Sequence, residues 1–324
     1  MAIDGIDIFR GSYPNIYRIF EPIILSELGS EKKEFFDYLV YMYGLVKTED
    51  NGEKLSDCIN KAYAMTLSRH PFFTFLFWYA PNLYSVMPPS VNELEEALGN
   101  PDIIFEDREK TVLLLIKNDG FWYKYLELEA AINLAKEGCQ VKVLHRESPQ
   151  VRYFDLEVVF NQYHFNIEAS NRFYHITDKR TMFNALRNKI AEEAEQLPRE
   201  GLNVLMLFMS DALIFSHKIE PEKRLNIFDL DDVVYGEPGS EERSGITIVF
   251  GMPKDDYKKP KRRLILETNE ELRHVGALII WYHGQSLLDN IGKQSRLIIP
   301  YAIDTFPHEI RDIFVRIQQR DIKR

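Results

Sequence analysis

Tyr153-Phe-Asp-Leu-Glu-Val-Val-Phe160 and Tyr163-His-Phe-Asn-Ile-Glu-Ala-Ser170, joined by Asn161-Gln162, decide how this chain is read. Both segments alternate polar and apolar residues with period two, and only two residues separate them, so the pattern predicts a β-hairpin. A two-residue loop sets the register and puts Asp155 opposite Glu168. Both acids then share a face with Glu157, Asn166 and Ser170, while Leu156, Val158, Phe160, Phe165 and Ile167 take the other. Directly opposed carboxylates repel, and a divalent cation held between them reverses that balance.

Working outward, the hairpin is preceded by a predicted helix from Trp122 to Glu137 that stops at Gly138, and by a short strand, Val141 to Leu144. Helical spacing places Glu127 on the same face as Ala130, Ala131, Leu134 and Ala135, whereas Glu129 falls with Asn133 and Lys136 on the wet side. After the hairpin, Thr181 to Leu197 carries apolar residues at helical spacing and ends at Pro198 to Gly201. Glu192, Glu193 and Glu195 are expected on its solvated face. Leu202 to Met209 is an apolar run of strand length, as a central strand covered on both faces requires. The resulting order is helix, strand, strand, strand, helix, strand.

Further out, Ile16–Leu28, Lys32–Val46 and Leu55–Ser68 read as helices, and the aromatic run Pro71–Tyr79 reads as core. A short helix from Ser90 to Leu98 follows, then Pro101–Phe105 and Thr111–Ile116 as two strands around a charged turn. Two regions are expected: residues 1–99, helical, and residues 100–324, an α/β domain with C-terminal strand and helix additions. Those additions include strands at Ile246–Phe250 and Val275–Trp281 and a helix from Pro307 to Gln319, docked through Phe306, Ile310, Ile313, Phe314 and Ile317. The one dense basic run, Lys258, Lys259, Lys261, Arg262 and Arg263, is either a solvated loop or a contact for nucleic-acid phosphates.

A net charge of -10 excludes a surface that is basic overall. The two cysteines, Cys58 and Cys139, have no metal-like spacing, so neither a disulfide scaffold nor a cysteine zinc site is expected. Acids stand near the start where a secretory leader would be basic, and no apolar run reaches bilayer length. A cytoplasmic protein with no membrane association is the expectation; the oligomeric state is left open.

Glycine-rich phosphate loops, His-Glu-x-x-His and Gly-x-Ser-x-Gly are missing from the sequence. What remains resembles the restriction-endonuclease-like, or PD-(D/E)xK, superfamily over residues 122–210. The resemblance implies an α/β fold with a mixed-sheet core, here under a helical N-terminal layer. It implies that Asp155, Glu168 and Glu127 act as catalytic acids and hold Mg²⁺ for phosphodiester hydrolysis, with nucleic acid as partner. The superfamily's motif lysine is replaced by Ser170. Lys142 on the preceding strand, or Lys179 or Lys189 on the following helix, are the candidates to supply its charge. Two alternatives stay open: a nuclease with a degenerate site, and a non-catalytic binding or scaffold protein that keeps the fold. An offset match, Asp102 with Leu115 and Lys117, has the lysine but lacks the second acid. The plainest reading leaves Asp155, Glu157 and Glu168 on a wet hairpin face. His145, His164 and His175 flank the hairpin, with His164 on the Glu168 side as a possible metal ligand or base.

Overall fold

The computed structural model describes residues 4–42, 69–78, 90–145, 154–172, 179–210, 264, 266, 269–283 and 296–322. The expected Leu55–Ser68 helix, the Ile246–Phe250 strand, the basic run at 258–263 and His175 lie outside these residues.

The chain is a mixed α/β protein, and its described residues form a seven-stranded sheet. Its elements are α1 (Gly5–Ser12), α2 (Pro14–Leu28), α3 (Lys32–Met42), α4 (Pro71–Trp78), α5 (Ser90–Gly99), β1 (Ile103–Phe105), α6 (Arg108–Leu115) and α7 (Phe121–Ala135). There follow β2 (Gln140–Val143), β3 (Leu156–Phe160), β4 (Tyr163–Arg172), α8 (Lys179–Ala194), β5 (Leu202–Ser210), β6 (Ala277–His283), β7 (Arg296–Ala302) and α9 (His308–Ile322). The strands lie side by side in chain order. β1 with β2, β4 with β5 and β5 with β6 are parallel, and the other neighbours are antiparallel.

The hairpin has the register its loop length dictates, from Leu156 opposite Ile167 to Phe160 opposite Tyr163. Asn161 closes it in the left-handed region, φ 53°, which asparagine tolerates better than most residues.

Thr111–Ile116 is not a strand. Asp107 caps a helix there by accepting the Lys110 amide at 3.0 Å, and Arg, Glu, Lys and Leu all favour helix once it is nucleated. The Asp102/Leu115/Lys117 match therefore loses its hairpin. The aromatic run is the helix α4: Phe72, Phe73 and Phe75 are fully buried, and Phe72 stacks on Phe20 at 3.8 Å between ring centroids. Glu95 on α5 accepts the amides of Asn15 and Ile16 at 3.0 and 2.8 Å, capping the start of α2.

Helix α7 is the pivot. One side packs on the sheet and the other beneath the N-terminal helices, so Glu129 and Asn133, expected in water, are buried. A single apolar cluster runs from the N-terminal helices through α7 to one face of the sheet, where Val158, Ile167, Val204 and Ile279 meet Ile313 and Phe314 of α9. Helix α8 covers the opposite face and contributes buried Ile190 and Ala194. Pro300 sits in β7, an edge strand among the described residues, where a missing amide is tolerated. Among the described residues no helix is long and apolar enough to cross a membrane.

Candidate functional site

The site forms in a notch where β3 begins. Among the described residues, β3 pairs with β4 from Leu156 to Phe160, while Glu168 to Arg172 pair with β5. Asp155 lies just beyond the last ladder pair. Its amide donates to the Ile167 carbonyl at 3.0 Å, and its Oδ2 accepts the Ala169 amide at 2.9 Å. The carboxylate thus takes a main-chain place in the ladder and lies in the sheet's plane. The ladder register carries Asp155 to the place opposite Glu168, and the Ala169 amide holds one of its carboxylate oxygens.

Glu168 and Ser170 alternate with the buried Ile167 and so point to the α8 side. Glu127 comes from α7, on the other face, and is buried. Beside it, one helical turn earlier, is Lys124, whose Nζ donates to Glu127 Oε2; both side chains are buried. Burial alone would lower the Lys124 ammonium, but Glu127, Asp155 and Glu168 outweigh it and hold it above its usual value. Burial drives Glu127 up to about 8, with Lys124 opposing the rise and Asp155 adding to it. One lysine therefore feels all three acids.

The lysines expected at this place are engaged elsewhere. Lys142 lies 3.6 Å from Glu106 and 3.8 Å from Glu157, on the half-exposed face where His164 Nε2 meets Glu157 at 2.8 Å. Lys189 pairs with Glu193, which also accepts the Ser170 hydroxyl at 3.0 Å. Glu193, expected in solvent, is buried by that network. The side chain of Lys179, at the start of α8, lies outside what the structure describes. His145 is fixed through its amide, which donates to Glu106 at 2.9 Å, and its ring is lowered by burial and by Lys110 and Lys124.

Lys124 is the residue that sequence reasoning passed over. The signal was present: it precedes Glu127 by three residues and Leu128 by four, on the inward face already assigned to Glu127.

The donor chemistry of three carboxylates suits Mg²⁺, but their arrangement does not. Among the described residues no three of His, Cys, Asp and Glu stand close enough to hold a metal ion. The acids approach the notch from both faces and from the sheet's plane, with the Lys124 ammonium against Glu127. No family model, curated protein or solved structure matches this chain.

Proposed function

We propose that this chain is a nuclease-like protein of the restriction-endonuclease-like superfamily, with a degenerate phosphodiester site in the notch between β3 and β4. The observation that carries the reading is Lys124: it supplies, from α7, the positive charge that Ser170 denies to the motif position. The succession α7, β2, β3, β4, α8, β5, with β4 and β5 parallel, supports the same core.

The roles follow from the environments. Asp155, anchored through one oxygen by the Ala169 amide, and Glu168 beside it take a proton from an attacking water. Glu127, with its value near 8, is the acid that holds a proton at neutral pH and can give it to a leaving oxygen. Lys124 offsets charge on the phosphoryl oxygens. The Mg²⁺ implied by the resemblance has no step here, because the arrangement does not hold it. The basic run at 258–263 is the proposed contact for nucleic-acid phosphates.

A second reading, a non-catalytic binding protein on the same fold, has its own observation in the buried Ser170–Glu193–Lys189 network that fills the motif lysine's neighbourhood. Fluorescent single- and double-stranded DNA and RNA oligonucleotides separate the two. The nuclease-like reading expects slow cleavage that disappears in Asp155→Asn and Glu168→Gln. Binding without cleavage, or cleavage indifferent to both substitutions, favours the second reading.

A further inference from the structure

We propose that His70 is an acid-sensitive latch: a proton on its ring releases helix α4 from the N-terminal layer and bares the aromatic face of α7, while the sheet stays folded. His70 directly precedes α4 and is 2% exposed. The helix begins with a proline, so Phe72 and Phe73 carry its first two amides. His70 holds both. Its Nδ1 accepts the Phe72 amide at 3.1 Å, and its main-chain carbonyl accepts the Phe73 amide at 3.0 Å. A ring nitrogen that accepts from an amide bears a lone pair, which makes the imidazole neutral with its proton on Nε2. Among the described residues, that buried Nε2 faces the Ile116 carbonyl without forming a well-directed hydrogen bond.

A second proton is incompatible with this place. Protonated Nδ1 is a donor aimed at the Phe72 amide, itself a donor, so the cap is lost and two N–H groups oppose each other. The surroundings do little for a cation. Phe20 and Phe121 flank the ring at 6.2 and 5.8 Å between centroids and exclude the water that would solvate it. Among the described residues, Glu27 of α2 is the charged group facing it, and that carboxylate already accepts the His70 amide at 2.8 Å. Arg69, next in the chain, turns to Glu31, and α4 itself has no charged residue. Burial accordingly holds the imidazole below its usual 6.5. The stability it contributes is present above 6.5 and is lost as pH falls through that value. What the latch secures is an aromatic seal: Phe72 stacks on Phe20 at 3.8 Å, Phe73 meets Phe35 at 5.5 Å, and Phe75 meets Phe121 and Tyr125 of α7 at 5.6 and 4.7 Å. Helix α4 has eight residues and supplies no strand, so it can open as a unit while the ladders from β1 to β7 hold.

Hydrogen exchange of the full chain, read peptide by peptide by mass spectrometry at pH 7 and pH 5 and corrected for the intrinsic pH dependence of exchange, tests the latch. One site of ordinary value 6.5, closed to protons while α4 is docked, lets the open fraction rise by at most about 25-fold between these pH values. Protection of the peptide covering Phe72 to Leu76 should therefore fall by about 10-fold to 25-fold, while that of Leu202 to Phe208 in β5 stays within about twofold. In His70→Asn, whose side-chain oxygen caps the helix without titrating, neither segment should lose protection between the two pH values. Nitrogen NMR of the wild type with isotope-labelled histidine carries the test if that variant does not fold. The His70 ring should bear its proton on Nε2 at pH 7, and its protonation should follow the same pH curve as the loss of protection in α4. The proposal is overturned if the α4 peptide keeps its protection at pH 5, if β5 loses protection with it, or if His70→Asn opens as the wild type does. A wild-type ring that carries its proton on Nδ1 at pH 7 overturns it equally.

Discussion

Glu127→Gln offers a test of the buried cluster that requires no substrate. Glu127 rises from 4.5 to about 8 on folding, chiefly through burial. A carboxyl whose folded value lies above its unfolded value contributes stability that is present at low pH and is lost as pH rises through the folded value. The window here runs from about pH 4.5 to about pH 8. A difference of about 3.5 units, at about 1.4 kcal/mol each, sets an upper bound of about 5 kcal/mol. Lys124 does not blur the window, because its own shift carries it above 10.5. For 324 residues unfolding as a unit, at about 2.1 cal/mol/K per residue, that energy corresponds to up to about 7 °C in Tm. Thermal melts of wild type and Glu127→Gln from pH 5 to pH 9 read it directly. The two should melt close together at pH 5, where the acid holds its proton and resembles the amide. By pH 9 the wild type should fall below the variant. A Tm difference that stays flat across this range, or moves the other way, would refute the assignment of the proton to Glu127.

Other parts of the structure make independent predictions. Asn203, fully buried, donates to the carbonyls of Pro198 and His274 at 2.7 and 3.0 Å and accepts from Asn166 at 3.0 Å, so Asn203→Ala should cost about 2–4 kcal/mol in urea unfolding. A Cβ on Gly276 would lie 2.3 Å from Phe306 Cδ2, under a backbone pinned by Asn203 and Ile303, and Gly276→Ala should lose about 1–3 kcal/mol in the same assay. Burial pushes the Cys139 thiol up to about 12, so in a Cys58→Ser background a disulfide reagent at pH 8 should modify Cys139 only upon unfolding. Rapid labelling of the native protein would contradict its placement.

Much of this fold is legible in the sequence because its signals are local. The two-residue loop fixes the hairpin register, the apolar run at Leu202–Met209 reads as a strand covered on both faces, and Phe306, Ile310, Ile313, Phe314 and Ile317 all dock as their spacing predicts. The errors arise where tertiary context overrides a local rule. Thr111–Ile116 has strand-like composition, but the Asp107 cap and its helix-favouring neighbours win. Glu129 and Asn133 have helical spacing suited to solvent, yet a second helical layer covers α7 from outside, which no periodicity within α7 reveals. Around the candidate site, the closeness of Asp155 and Glu168 can be read from the strand pattern, whereas the hydrogen bond from the Ala169 amide to the Asp155 carboxylate cannot. Lys124 went unread although its spacing of three from Glu127 puts it on that acid's face, where the two pair.

Whether Lys124 and the acids form one site is most directly measured by a double-mutant cycle on stability, using Lys124→Met, Asp155→Asn and the pair together. The cluster predicts that the double variant loses less than the two single losses combined, with a coupling of at least about 1 kcal/mol, because each single change leaves the buried Lys124 or the half-buried Asp155 short of its counter-charge. Additivity within about 0.5 kcal/mol would mean that Lys124 serves Glu127 alone, and would contradict the account.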